Sequence, residues 1–281
     1  MSQALPDLLL EALIRAALIE DLGPSGDITT RLVIPPATRY RAKMNAREAG
    51  VVSGMQVAAI AFRLVDPTLT VTLHHPDGSA CAPGDVLMEI EGLAASILSA
   101  EQVALNFAGS LSGIATLTAA YVAEIKGSPT RITCTRKTTP GLHLVEKAAI
   151  QNGGGFNHRF GLGDAILIKD NHIAAAGGIR PALEAACAGA SHMMKIEVEV
   201  DTWTQLAELL EIRGADAVLL DNMDTPTLQQ AVALVAGRLI TEASGNMALS
   251  RIAEVAATGV NYISAGALTH SARTLDLGLD F

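Results

Sequence analysis

From residue 131 onward the chain repeats one unit, a short apolar strand followed by a loop and a helix, at a period of roughly 20–30 residues. Strands that alternate with helices run parallel in one sheet. About seven such units favour an α/β barrel, complete or incomplete, over an open sheet. The predicted strands are 131–136, a short run at 149–151, 165–169, 194–200, 217–221, 239–243 and 262–265.

Polar side chains follow most of these strands at the point where each strand ends. They are Arg136 and Lys137, Lys169 and Asp170, Glu199 and Asp201, Asp221 and Asn222, Glu242 and Ser244, and Ser264 and Gly266. The carboxyl ends of the strands in such a barrel meet at one mouth, where active sites lie. A doubly wound sheet would bring fewer of these residues together. The pattern therefore predicts a functional site at the mouth of a barrel.

The first part of the chain has a different pattern. Helical spacing predicts helices at 7–20, 54–64 and 97–125, and near-alternation predicts strands at 41–47, 69–74 and 86–91. We expect an α+β domain with a small, mostly antiparallel sheet at 1–112. The barrel is then expected at 113–269, and the C-terminal tail 270–281 is expected to join the first domain.

Helix ends in the second part have typical residues. Thr225 is the predicted N-cap of a helix that has Pro226 at its first position. Gly214, Gly237 and Gly259 follow predicted helix ends, where a left-handed residue is favoured.

Composition excludes several classes of protein. The 281-residue chain is 49% hydrophobic, so it can bury a large core, and its net charge of -9 disfavours binding to nucleic acids or anionic membranes. Cys81, Cys134 and Cys187 are far apart, which predicts reduced, buried thiols and neither disulfides nor a zinc site. No apolar run reaches 18 residues, and the first helix carries Asp7 and Glu11, unlike a signal peptide. These features predict a soluble cytoplasmic protein.

A positive cluster stands out within this acidic chain between residues 135 and 173. It contains Arg136, Lys137, Lys147, His158, Arg159 and Lys169, all near glycines or strand ends. Such side chains bind carboxylates or phosphates through charge-assisted hydrogen bonds. The cluster therefore favours a small ligand with several negative charges.

The remaining polar strand ends complement this cluster. Glu199 and Asp221 could hold Mg²⁺ carried by a polyphosphate, or accept hydrogen bonds from ribose hydroxyls. The loops Ser244-Gly245-Asn246 and Ala265-Gly266-Ala267 follow the last two strands, where such barrels usually bind phosphate. The residues thus predict a phosphorylated sugar, a metal ion and an anionic second substrate.

Several long motifs, in order along almost the whole chain, strongly resemble the quinolinate phosphoribosyltransferase family. They are Thr-Arg-Lys-Thr-Thr-Pro-Gly-Leu at 135–142, Gly-Gly-Gly-Phe-Asn-His-Arg-Phe-Gly-Leu at 153–162, Leu-Ile-Lys-Asp-Asn-His-Ile at 167–173, Glu-Val-Glu-Val at 197–200 and Leu-Leu-Asp-Asn at 219–222. The resemblance implies an N-terminal open-faced sandwich and an incomplete, seven-stranded TIM-like barrel. It implies a homodimer, or a higher oligomer, with active sites shared between subunits. It also implies a decarboxylating pentosyltransferase of NAD biosynthesis.

The resemblance also assigns roles to residues. Arg136, Arg159 and Lys169 would bind the carboxylates of quinolinate, with Thr135, Lys137 and His158 beside them, and Lys137 and Lys169 would also face pyrophosphate. Glu199 and Asp221 would hold the ribose and Mg²⁺ of phosphoribosyl pyrophosphate (PRPP), and both are expected to serve catalysis together with Lys137 and Lys169. The loops 244–246 and 265–267 would bind its 5′-phosphate. No organic cofactor is expected.

Two positions depart from the family pattern. Gln102 stands where the family usually has an arginine that reaches quinolinate in the neighbouring subunit, and His143 stands where another arginine is usual. An amide cannot neutralise a carboxylate, so weaker dicarboxylate binding is expected. Two other functions stay open: a Schiff-base aldolase that uses Lys169, and a non-catalytic or differently specific paralogue of the molybdenum-operon type.

Overall fold

The structure, a computed structural model, describes residues 4–281, which divide into two units. Unit 1 contains the chain up to Ala119, Thr139–Gly154 and Ser271–Phe281. Unit 2 contains Ala120–Thr138 and Gly155–His270.

Unit 1 is built on a four-stranded antiparallel sheet. Its elements are α1 (Asp7–Leu22), α2 (Ile28–Val33), β1 (Arg39–Ala46), β2 (Gly50–Val51), α3 (Met55–Val65), β3 (Thr70–Leu73), β4 (Ala80–Cys81), β5 (Val86–Leu93), most of α4 (Ala94–Glu124), α5 (His143–Asn152) and β12 (Leu277–Asp280). The order in the sheet is β12-β1-β5-β3, and β2 pairs separately with β4. Alternating residues of β1 are buried, as the sequence pattern predicts for a strand with one face on the core. The predicted α+β class of the first part is confirmed.

The long helix α4 lies against the C-terminal tail in unit 1. A Cβ added at Gly113 would lie 2.0 Å from the backbone oxygen of Arg273, so only glycine fits there. By contrast, a Cβ at Gly189 would have no heavy atom within 4 Å.

Gly113→Ala is therefore expected to destabilise the protein by about 1–3 kcal/mol, because the overpacked tail must move. Gly189→Ala, the matched control, is expected to cost nothing or to stabilise slightly, since it restricts the unfolded chain. Urea denaturation of both variants measures the difference. Equal free energies of unfolding would contradict the close approach.

By length and composition, α4 is also the one helix of residues 4–281 that could cross a membrane. However, 61% of its most apolar 18-residue window is buried inside the protein. A core helix has this property, and the placement of α4 beside the tail of unit 1 agrees with that role.

Unit 2 is an incomplete α/β barrel. After the end of α4 it contains β6 (Arg131–Thr133), β7 (Ile166–Ile168), α6 (Asp170–Ala176), α7 (Ile179–Gly189), β8 (Ile196–Val200), α8 (Trp203–Leu210), β9 (Ala217–Asp221), α9 (Thr225–Val235), β10 (Ile240–Ser244), a 3-10 turn (Leu249–Arg251), α10 (Ile252–Ala256), β11 (Tyr262–Ser264) and α11 (Ala267–His270). The six strands are all parallel, in the order β6-β11-β10-β9-β8-β7. The predicted barrel class is confirmed.

The expected seventh strand differs from the prediction. Residues 149–151 are helical and belong to α5, because Val145, Ala149 and Ile150 bury one helical face. Beside β6, Phe156 instead makes a single parallel bridge with Thr133. Its N–H donates to Ile132 O at 2.8 Å, and its carbonyl accepts from Cys134 N at 3.2 Å. One residue thus takes the place where a whole strand was expected.

Two smaller expectations are also corrected. The N-cap of α9 is Asp224, whose carboxylate accepts from Thr227 N at 2.9 Å, so the helix starts one residue earlier than predicted. Cys81 and Cys134 are buried, but Cys187 is exposed, because it lies in the last turn of α7, beyond the buried Leu183.

Candidate active site

The carboxyl ends of the barrel strands surround a cavity of about 330 Å³ in unit 2. Its lining residues are Thr135, Arg136, Lys137, His158, Arg159, Leu167, Lys169, Glu199, Leu219, Asp221, Glu242, Ser244 and Ser264. The parallel register explains this convergence. Glu199 pairs with Leu219, Leu219 with Glu242, and Asp221 with Ser244, so these residues end neighbouring strands at similar heights. The mouth predicted from the sequence is therefore present.

Arg159 is the most enclosed guanidinium of the cavity. Its Nη1 donates to Ala165 O at 3.0 Å, and its Nε is buried without a hydrogen-bond partner. Burial, followed by the neighbouring charge of Arg136, lowers the pKa of Arg159 below its ordinary value. A partly desolvated guanidinium with an unused donor, next to a second cation, forms a site that an anion would stabilise.

The loop that carries Arg159 is held by Asp164. Its carboxylate accepts the N–H groups of Phe160 at 2.6 Å and Gly161 at 2.7 Å. Burial alone would raise the pKa of Asp164, but these hydrogen bonds outweigh it and the pKa is lowered. The ionised carboxylate therefore fixes the turn that follows Arg159.

Lys169 joins the cationic and anionic parts of the cavity. It immediately precedes α6, and its Nζ lies 3.0 Å from Glu199 Oε2. Its backbone N–H donates to His172 Nδ1 at 2.9 Å, which fixes the entry to the helix. A lysine paired with a carboxylate lacks the desolvated, apolar setting that a Schiff-base nucleophile needs, so the aldolase hypothesis loses support.

Three carboxylates gather where β8 and β9 end. Oxygens of Glu199, Asp201 and Asp221 all lie within 4.8 Å of one another. Burial raises the pKa of Glu199, opposed by Lys169 and reinforced by Asp221 and Asp170. Burial, with Asp221 and Asp170, likewise raises the pKa of Asp201. Mutually repelling carboxylate oxygens are a donor set that fits Mg²⁺.

A second acidic group lies deeper in the barrel. His158 Nε2 is 3.0 Å from Glu197 Oε2 and 3.7 Å from Glu242 Oε1. Burial, reinforced by the charge of Glu197 and opposed by His158, raises the pKa of Glu242 to about 8. Glu242 is therefore mostly protonated at neutral pH, which avoids two neighbouring buried charges.

This raised pKa makes stability depend on pH. Between the ordinary value of 4.5 and about 8, the folded state binds a proton at Glu242 that the unfolded state releases. The contribution of protonated Glu242 to the free energy of unfolding is thus fully present below pH 4.5 and is lost as pH rises through about 8. Glu242→Gln is expected to flatten this decline, with a gain on the order of a few kcal/mol near pH 8.

Urea denaturation of wild type and Glu242→Gln between pH 5 and pH 8.5 measures this effect. The two free energies of unfolding should diverge as pH rises, with the variant the more stable. Parallel curves would show that Glu242 ionises normally in the folded protein.

The loop after β10 depends on unusual backbone conformations. Gly245 has φ +88°, and a Cβ there would lie 2.2 Å from Asn222 Oδ1. Asn222 and Asn246 also adopt positive φ, at 54° and 49°. Ser244 lines the cavity, whereas Gly245 and Asn246 follow it in the loop. The predicted phosphate role of these residues stays a prediction.

The other predicted loop lies beside Lys137. A Cβ at Gly266 would be 3.1 Å from Lys137 Cδ, so the lysine stem packs directly on this glycine. Thr269 Oγ1, at the end of the same loop and helix, donates to Lys137 O at 2.5 Å. Ala265 and Ala267 flank this contact. The loop 265–267 therefore positions Lys137, and its predicted role in binding phosphate is untested.

Gln102 is not among the residues that line this cavity. It is exposed on α4 in unit 1, where its Nε2 donates to Asn106 Oδ1 at 2.8 Å. Lys147, which belongs to the positive cluster predicted between residues 135 and 173, does not line the cavity either and is fully buried in α5 of unit 1.

Four polar residues of this region have no role assigned from the sequence: Glu197, Asp201, Glu242 and Ser264. The last three are among the polar strand ends predicted to meet at the mouth. One sequence feature pointed to the first of them. Glu197 and Glu199 are two residues apart in a strand, so both face the barrel interior.

Comparison with known proteins identifies the family. The family model for the N-terminal domain of quinolinate phosphoribosyl transferase matches residues 27–112, and the model for the C-terminal domain matches residues 114–280. A probable nicotinate-nucleotide pyrophosphorylase (carboxylating) of Bacillus subtilis is 42% identical over 273 residues, which cover 97% of this chain and 93% of that protein. A quinolinate phosphoribosyltransferase (decarboxylating) of Nicotiana glauca is 42% identical over 288 residues, which cover 96% of this chain and 81% of that protein.

A solved structure agrees with these relatives. The crystal structure of NadC from Streptococcus pyogenes matches with a TM-score of 0.95 and 40% identity, over 100% of this chain and 98% of that one. The resemblance seen in the motifs is therefore confirmed. Since two family models and relatives of about 40% identity span nearly the whole sequence, the chain belongs to the quinolinate phosphoribosyltransferase family.

Proposed function

We propose that the protein transfers the phosphoribosyl group of PRPP to quinolinate and decarboxylates the product, giving nicotinate mononucleotide, pyrophosphate and CO₂. One observation carries this proposal. A single cavity at the strand ends combines four lysine and arginine side chains with a group of carboxylates, which suits one anionic substrate and one metal-bound diphosphate. The relatives named for this reaction support the same assignment.

The cations are proposed to bind quinolinate. Arg159, with its unused buried Nε, and Arg136 beside it would pair with the two carboxylates, and Thr135 and His158 would complete this side. Lys137 and Lys169 would face the pyrophosphate. Such fixed charges stabilise negative charge as it develops on a leaving group.

The carboxylates are proposed to hold the other substrate. Glu199 and Asp221, with Asp201 close to both, would bind Mg²⁺ and the ribose hydroxyls of PRPP. When bound, Mg²⁺ neutralises charge on the pyrophosphate oxygens. The loops 244–246 and 265–267 would receive the 5′-phosphate through backbone N–H groups.

The proposed chemistry requires little from individual side chains beyond binding and orientation. The C1–oxygen bond of PRPP breaks as pyrophosphate leaves, and the pyridine nitrogen forms a bond to C1 with inversion. The adjacent carboxylate then leaves as CO₂, its electron pair stays on the ring carbon next to the positive nitrogen, and a proton replaces it. The substrate is its own electron sink, so no organic cofactor is proposed. Holding the nitrogen in line with C1 supplies much of the rate.

Carboxyl-labelled quinolinate tests this function. The purified protein is incubated with quinolinate, PRPP and Mg²⁺, and CO₂ and nicotinate mononucleotide are measured, with nicotinate as an alternative substrate in parallel. Equimolar CO₂ and mononucleotide that require both PRPP and quinolinate would support the proposal. CO₂ release without PRPP would contradict the order of steps.

The same assay addresses Gln102. Turnover of quinolinate with a high Michaelis constant would agree with the loss of an arginine at that position. Turnover of nicotinate alone would show that the substrate has changed. No reaction with either would favour a non-catalytic role.

We further propose a cytoplasmic homodimer with shared active sites. Support comes from exposed apolar side chains on α1 and α2, since large exposed apolar patches often mark interfaces. They are Leu8, Leu9, Ile19, Ile28, Leu32 and Val33. Light scattering after size-exclusion chromatography should give twice the chain mass of 29.1 kDa, and Leu32→Asp should shift it toward the monomer. A wild-type monomer would contradict this assembly.

A further inference from the structure

His158, Glu197 and Glu242 form a buried group beneath the cavity, which we call the histidine–glutamate cluster. The side chains of His158 and Glu197 are each 13% exposed, and that of Glu242 is 7% exposed. Glu197 lies on β8 and Glu242 on β10, while His158 belongs to the loop between α5 and β7. Only His158 and Glu242 reach the cavity wall. Glu197 therefore acts through its neighbours.

The hydrogen bonds of His158 define its tautomer. Its Nδ1 accepts the backbone N–H of Arg159 at 2.7 Å, so Nδ1 carries no hydrogen. The ring hydrogen must then be on Nε2, which faces Glu197 Oε2 at 3.0 Å. A carboxylate accepts this hydrogen bond, and the tautomer is thereby fixed from both sides.

These contacts form a continuous connection from Glu197 to Arg159. Glu197 orients the imidazole, the imidazole holds the backbone N–H of Arg159, and the Arg159 side chain is further fixed by Ala165 O. Glu242 is a poorer partner for the ring, because 3.7 Å exceeds hydrogen-bond distance and its Oε1 has no partner.

We propose that Glu197 is a positioning residue: by accepting from His158 Nε2 it fixes the ring and, through it, the backbone at Arg159, so that the guanidinium is held ready for an anionic substrate group. This inference rests on the proposed function, which assigns quinolinate to Arg159. It predicts that Glu197 affects quinolinate binding far more than PRPP binding.

Two substitutions separate positioning from charge. Glu197→Gln keeps an oxygen acceptor at the same reach and removes the negative charge. Glu197→Asp keeps the charge but withdraws the carboxylate by about 1.5 Å, one C–C bond, which breaks the hydrogen bond to Nε2. A positioning role requires the Gln variant to perform better than the Asp variant. A purely electrostatic role requires the opposite order.

Steady-state kinetics measures the difference. Glu197→Asp is expected to raise the Michaelis constant for quinolinate by about tenfold or more, the size typical of a lost hydrogen bond to a charged group. In the same variant, the Michaelis constant for PRPP should change less than about threefold. In Glu197→Gln, the Michaelis constant for quinolinate should stay within about threefold of the wild-type value. An Asp variant equal to or better than the Gln variant, or equal effects on both substrates, would overturn the proposal. So would failure of the near-isosteric Gln variant to fold.

A ligand-free measurement separates this inference from the proposed function. Long-range ¹H–¹⁵N spectra report which ring nitrogen of a histidine carries the hydrogen, and His158 can be assigned among the seven histidines with a His158→Gln sample. Wild type and Glu197→Gln should show the Nε2–H tautomer, and Glu197→Asp a mixture. If quinolinate is not a substrate but these spectra hold, only the function fails. An Nδ1–H tautomer in wild type would overturn the positioning role itself.

Discussion

Lys169→Met is expected to lower kcat/KM by about 10²–10³-fold, the effect of removing one preorganised charge from a developing anion. The substitution removes the cation that Glu199 Oε2 contacts at 3.0 Å and leaves a carboxylate that is 11% exposed without its partner. Burial already raises the pKa of Glu199, and loss of Lys169 removes an interaction that lowers it. The variant therefore loses a cation for pyrophosphate and also part of the charge that would hold Mg²⁺. Steady-state kinetics with quinolinate and PRPP measures the loss.

Lys195→Met is the matched control. Lys195 also pairs with a carboxylate, Asp216 Oδ1 at 2.5 Å, but it is 73% exposed and precedes β8, at the opposite end of the strands. Exposed pairs contribute little to stability, so this variant should fold and keep full activity. If a folded Lys169→Met retained activity within threefold of wild type, or if both variants lost activity equally, Lys169 would have no role in the reaction.

Local patterns were sufficient to predict the barrel and its mouth. Glu199 and Asp221 end parallel strands, and residues in that position meet whatever the details of packing, because the strand ends share one edge. The error at 149–151 has a local cause as well. A three-residue apolar run fits a strand and a buried helical turn equally, and only tertiary packing decides between them.

The histidine–glutamate cluster shows what local patterns do not contain. Alternation in β8 indicates that Glu197 faces inward, but nothing in the sequence indicates that it meets a histidine 39 positions away or that Glu242 approaches both. The raised pKa of Glu242 is a consequence of that non-local burial. Such pairings depend on how the strands curve and stagger, which the sequence pattern alone does not determine.

Arg159→Met is expected to raise the Michaelis constant for quinolinate by about 10²-fold, since truncating one partner of a buried charge pair costs that much or more. The PRPP constant should change little. The ligand-free protein should lose little stability, because burial and the charge of Arg136 already disfavour this guanidinium, as its lowered pKa indicates. An apolar side chain of similar length removes that repulsion and gives up one hydrogen bond to Ala165 O. Calorimetric titration with quinolinate and urea denaturation measure the two effects separately.

Arg180→Met controls for the loss of an arginine as such. Arg180 is exposed on α7 and lies 3.5 Å from Glu184 one helical turn away, so its removal should alter neither binding nor stability measurably. The contrast distinguishes a site built to bind an anion from an ordinary buried arginine. In the first case, Arg159→Met loses quinolinate binding and keeps its fold. In the second case, the variant loses stability and binds quinolinate normally when folded, because the guanidinium then serves only the loop between α5 and β7.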